Sequence, residues 1–142
     1  MGDWNPESYA RFGDLRLRPA LDLLARIAAL PAGEVIDLGC GSGAVGPALR
    51  ARFGRGRRIV GLDASPAMLE AARSSGAYDA VVAGDAARWV PSAPVALIFS
   101  NAALHWLPDH ETLLVRLARQ LVPGGVLAVQ MPRQYGAPSH RF

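Results

Sequence analysis

Val35-Ile36-Asp37-Leu38-Gly39-Cys40-Gly41-Ser42-Gly43 is the stretch that decides the fold. Its first four residues read as a short buried strand, its glycines alternate with small residues, and helical spacing resumes from about Ala44 to Phe53. Outward from there the same alternation repeats. Strands are predicted at Ile59–Leu62, Ala80–Ala83, Val95–Ser100 and Val126–Met131. Helices are predicted over Pro19–Leu30, with Leu21, Leu24 and Ala28 on one face, and after Ser65-Pro66, a capping hydroxyl followed by proline at the first helical position. A further helix opens at Asp109, carries Leu113, Leu114, Leu117 and Leu121 on its inner face and stops at Pro123-Gly124-Gly125. Strands this apolar, separated by helices, belong to a parallel sheet covered on both faces. The fold class is α/β, an open doubly wound sheet, and right-handed crossovers leave few topologies for its five strands.

A chain of 142 residues and 15.0 kDa makes one domain with room for a core. Apolar residues at 51%, charged residues at 19% and a mean hydropathy of +0.16 exclude a disordered chain. No apolar run reaches the length of a membrane span and the first residues have no secretory pattern, so no membrane partner is expected. The single Cys40 cannot form an internal disulfide. The expected location is cytoplasmic. The net charge is +3 with a pI of about 9.7, all of it from arginine. Arg50, Arg52, Arg55, Arg57 and Arg58 crowd one helix–strand connection, and they are expected to be a solvated surface rather than a track for nucleic acid. His105, His110 and His140 are too scattered to suggest a metal site.

Gly41-Ser42-Gly43-Ala44-Val45-Gly46 also spells the G-x-G-x-x-G of a dinucleotide site, with Asp63 where a ribose acid would stand. Charge separates the readings. Asp37 directly precedes the glycines, and a pyrophosphate there would face a fixed carboxylate. A ligand with an ammonium group would gain a charge-assisted hydrogen bond instead. S-adenosylmethionine (SAM) carries an amino-acid end, a sulfonium, a ribose diol for Asp63 and an adenine amine for Asp85, with no phosphate. Three acids at three successive strand ends suit it better than a nicotinamide dinucleotide. The local readings, Asp63 capping the next helix and Asp85 in a turn, stay open.

Together with Gly61-Leu62-Asp63-Ala64-Ser65-Pro66-Ala67-Met68-Leu69 and Pro123-Gly124-Gly125-Val126-Leu127, these blocks resemble the class I SAM-dependent methyltransferases. Asp3-Trp4-Asn5-Pro6, Arg18-Pro19-Ala20, the stretch from Leu97 to Asp109 and Ala128-Val129-Gln130-Met131-Pro132 resemble those members that esterify a carboxylate of a small polycarboxylic acid such as trans-aconitate. The resemblance implies a SAM-dependent enzyme with residues 1–132 as its cofactor-binding domain and 133–142 as an irregular tail. It places the methionine part of SAM at Asp37, Gly39, Cys40, Gly41 and Gly43 and the ribose at Asp63, with Ala64 and Met68 as further contacts. It places adenine at Asp85 and Ala86, the sulfonium near Asn101, and Tyr9 and Phe12 in a segment folded over the cofactor. Arg16 or Arg18 would meet a carboxylate, and Trp4, His105 and Trp106 would line the substrate side. Position 105 is His where glutamine is usual in the family. The resemblance also implies a Rossmann-like sheet whose five strands run in the order 3-2-1-4-5, without the last two strands through which family members continue. The fifth strand is therefore expected to be a bare edge, open to self-association. The alternatives are a SAM-binding fragment without turnover and a methyltransferase of another small molecule.

Overall fold

In the computed structural model, which describes residues 17–101, 104 and 109–131, the apolar runs become five parallel strands in the order β3-β2-β1-β4-β5. They are β1 (Val35–Leu38), β2 (Ile59–Asp63), β3 (Ala80–Ala83), β4 (Val95–Asn101) and β5 (Leu121–Gln130). The helices are α1 (Arg18–Ala25), α2 (Gly46–Phe53), α3 (Pro66–Ser74) and α4 (His110–Ala118). The fold class and strand order are those expected. Trp4, Tyr9, Phe12, Arg16, His105, Trp106 and the tail 133–142 lie outside the described residues. Among the described residues no helix is long and apolar enough to cross a membrane.

Alternation along the strands sorts the core into two layers. Val35, Ile59, Leu97 and Phe99 face Leu21 and Leu24 of α1 and Ala48 and Leu49 of α2. Ile36, Leu38, Leu62 and Ile98 face Leu113 and Leu117 of α4. Ser65 accepts from the Met68 N–H and Asp109 from the Thr112 N–H, as capping residues should.

Three expectations need correction. The first helix ends at Ala25 rather than Leu30, and Ala28 is exposed. The carbonyls of Ile27, Leu30 and Pro31 accept from the guanidiniums of Arg52 and Arg57 instead. The second helix starts at Gly46, not Ala44, because a tight turn closed by Gly46 N–H to Gly43 O comes first. The last strand starts at Leu121, not Val126, so Leu121 pairs with Val95 rather than extending the inner face of α4. Pro123-Gly124-Gly125 lies inside this strand as a bulge, where the register jumps from Val95↔Leu121 to Leu97↔Val126. Gly124 has φ 81°, and a Cβ on Gly125 would stand 2.9 Å from the Val122 carbonyl.

The crowded arginines are not simply solvated, since four of the five bond to the protein and Arg55 alone is exposed without such a bond among the described residues. Arg50 donates to the carbonyls of Ala77, Gly54 and Arg57 and to Asp79. Arg57 donates to Leu30, Pro31 and Gly33, and Arg52 to Ile27. Arg58 pairs with Glu34 at 2.6 Å. These bonds gather at the rim of the sheet where β1 and β2 begin.

Candidate functional site

The opposite rim, where the strands end, holds the glycine turn and the predicted acids Asp37, Asp63 and Asp85. After β1 the backbone turns through Gly39, Gly41 and Gly43 at φ 74°, 56° and 89°, values that side-chain-bearing residues adopt only with strain. The turn is tied to β2. The N–H groups of Gly39 and Cys40 both donate to the Leu62 carbonyl, at 2.7 and 2.9 Å. The Gly41 N–H donates to Asp63 Oδ2 at 2.9 Å. Asp63 Oδ1 accepts from the Ser65 N–H at 2.9 Å, so the helix-capping role and a place beside the turn coexist. A Cβ on Gly41 would meet nothing within 4 Å, leaving open space against the turn.

These bonds weigh against an anion. The N–H groups of Gly39, Cys40, Gly41, Gly43 and Gly46 all donate within the protein, so they are not free to cradle a phosphate. Among the described residues neither Asp37 nor Asp63 pairs with an arginine. The site has the charge for a cation.

Asp37 is the buried member, with 2% of its surface exposed. Its Oδ2 accepts from the Tyr78 hydroxyl at 2.5 Å, and no described residue donates to its Oδ1. Burial lifts its pKa from 3.8 to about 6; the Tyr78 bond pulls it down, and the nearby Asp63 charge pushes it up. Burial, then the charge of Asp37, holds the Tyr78 phenol well above its ordinary range, so it stays protonated and donates. Burial, with the charges of Asp37 and Asp63, pushes the Cys40 thiol up to about 12 and keeps it neutral.

Tyr78 was not singled out from sequence. Its ring runs past three glycines: a Cβ would stand 3.2 Å from it at Gly43, 2.8 Å at Gly46 and 3.2 Å at Gly61. The third glycine of the apparent dinucleotide motif therefore admits an aromatic ring. That space between helix and strand was the one available clue.

The predicted residues described after β2, β3 and β4 spread along the rim. Asp85 is exposed just past β3, and its Oδ1 accepts from the Ala87 N–H, a turn contact. Ala64 and Met68 are exposed at the start of α3, and Asn101 closes β4 in register with Gln130. Arg116 of α4, also missed, donates to the carbonyls of Ala86 and Trp89 at 2.7 and 2.6 Å and so fixes the segment after Asp85. Arg18 is exposed and bonded to Asp22 on its own helix, away from the turn's contacts.

Residues 36–129, from β1 into β5, match a family model described as a methyltransferase domain. The trans-aconitate 2-methyltransferase of Methylobacterium radiotolerans is 52% identical over 142 residues, which are 100% of this chain and 54% of that protein. The chain thus spans about half the length of the curated relatives it matches. Its fold is similar to a chain from the complex of the Haloferax volcanii Trm112 methyltransferase activator with a putative methyltransferase, with TM-score 0.71 and 31% identity over 87% of this chain and 55% of that one. A SAM-dependent methyltransferase from Mesorhizobium loti gives TM-score 0.65 and 28% identity over 80% of this chain and 52% of that one. With the matched segment, the strand order and the glycine turn in agreement, the chain belongs to the methyltransferase-domain family.

Proposed function

We propose that this chain binds SAM at the glycine turn and serves methyl transfer to a carboxylate of a small polycarboxylic acid, with trans-aconitate as the first candidate. The observation that carries the reading is the buried Asp37 carboxylate, with one oxygen held by Tyr78 and the other without a donor among the described residues, beside a turn in which the N–H groups of Gly39, Cys40, Gly41 and Gly43 are already engaged. The ammonium group of SAM satisfies that oxygen by a charge-assisted hydrogen bond. Asp63 keeps lone pairs beyond the two that Gly41 and Ser65 engage, and these suit a ribose diol. Asp85 and the pinned backbone at Ala86 suit adenine, and Asn101 suits the sulfonium end of the ligand. Relatives named as a SAM-dependent methyltransferase and as trans-aconitate 2-methyltransferases support the methyl donor and the acceptor respectively.

When bound, SAM supplies an electrophilic methyl group on sulfur. An acceptor carboxylate is already ionised at pH 7, so this chain needs no general base and we assign none. Its own residues hold the donor still and exclude water around it; alignment of this kind is worth about 7–11 kcal/mol of a barrier.

Calorimetry with SAM, followed by detection of S-adenosylhomocysteine with trans-aconitate present, tests the reading. Binding with acid-dependent product is the expected result. Binding without turnover reduces the chain to a cofactor-binding unit, and no binding overturns the proposal.

A further inference from the structure

We propose that Tyr78 is a positioning residue of this site: its hydroxyl grips one oxygen of Asp37 so that the other is presented to the cationic ligand, and Gly43, Gly46 and Gly61 make room for its ring. The inference rests on the proposed SAM site and extends it to a residue outside the glycine and acid motifs.

Three observations converge. The hydroxyl lies 2.5 Å from Asp37 Oδ2, although the two residues are 41 positions apart. The partly buried ring packs directly on the glycine backbone, since a methyl group at Gly46 would stand 2.8 Å from Tyr78 Cζ and 2.9 Å from its hydroxyl oxygen. The backbone on either side of Tyr78 is fixed as well. Arg50 donates to the Ala77 carbonyl at 3.0 Å and to Asp79 Oδ2 at 2.7 Å, and the Asp79 N–H donates to the Ile59 carbonyl. A tyrosine clamped at both neighbours and threaded between glycines has little freedom to place its hydroxyl elsewhere.

The carboxylate needs such a partner. Among the described residues, the titratable groups facing Asp37 are Asp63 at the end of β2, the neutral Cys40 of the turn and Tyr78 itself. Of these only Tyr78 favours the ionised form. Without its hydroxyl, burial and the Asp63 charge would act unopposed, and Asp37 would hold its proton to a higher pH. A protonated Asp37 cannot balance an ammonium group.

Tyr78→Phe, which keeps the ring and removes the donor, tests the assignment in two ways. In the free protein, a carbon-13 NMR titration of the Asp37 carboxyl should move from a midpoint of about 6 to a higher pH. SAM affinity by calorimetry should fall about tenfold near pH 6 and recover most of that loss by pH 8.5, because ionisation then returns. In an Asp37→Asn background the same substitution should leave SAM affinity unchanged at every pH. An unshifted carboxyl midpoint, or an equal, pH-independent loss in both backgrounds, would show that Tyr78 only fills space and would overturn the proposal. If the parent protein fails to bind SAM, the functional reading falls, while the carboxyl titration still decides the Tyr78–Asp37 assignment.

Discussion

The two rims of the sheet use charged side chains in opposite ways. Where the strands begin, the guanidiniums of Arg50, Arg52 and Arg57 close on backbone carbonyls, and those of Arg50 and Arg58 also meet Asp79 and Glu34. Where the strands end, carboxylates face backbone N–H groups, and Asp37 is buried with one oxygen unmatched among the described residues. The first rim is arranged for stability. The second keeps an ionised group where water is excluded, which opposes folding and suits a ligand that arrives with the missing charge.

That contrast breaks if Asp37→Asn has little effect on binding. The expected outcome is a 10- to 100-fold loss of SAM affinity at pH 7, about the value of a hydrogen bond to a charged group, read by calorimetry. The same variant should be more stable than the parent at pH 7. Because the folded pKa of Asp37 is raised from 3.8 to about 6, the native state retains a proton between those values that the unfolded chain has lost. The parent therefore loses stability as the pH rises through that window, by about 3 kcal/mol in all, and this contribution is level above it. Denaturation curves of parent and variant should converge toward pH 4.

At the first rim Arg50→Ala should cost about 2–4 kcal/mol, since it removes the donor to three carbonyls and the ion-pair partner of Asp79 together. Gly46→Ala should cost about 1–3 kcal/mol, because the new methyl group has to displace Tyr78, and a denaturant midpoint measures it. Arg57→Ala sharpens the comparison most with the smallest effect. It should cost about 1–2 kcal/mol in the same assay while SAM affinity stays within about twofold, because its partners at Leu30, Pro31 and Gly33 lie away from the ligand.

Much of this architecture was legible in local pattern. β1 and β3 have the boundaries that hydrophobic runs predict, and Ser65 and Asp109 cap the helices they should. The places where the sequence misled share one cause, a distant partner. Ile27 and Leu30 continue a helical period, yet arginines more than twenty residues later take their carbonyls. Leu121 continues another, yet it belongs to a strand through its pairing with Val95. At the site, glycines and acids declared themselves because their chemistry is written in residue type and spacing. Tyr78 did not, because nothing near Ala77-Tyr78-Asp79 marks the phenol as the partner of a carboxylate 41 positions earlier.

The Tyr78 ring joins the two rims mechanically. Its backbone is moored among the arginine contacts, and its hydroxyl ends on the acid that meets the ligand. The Ile59 amide donates to Asp79, the neighbour of Tyr78, at 2.7 Å. Hydrogen exchange at that amide should therefore slow when the distant site fills, giving a label-free gauge of occupancy from the far side of the molecule.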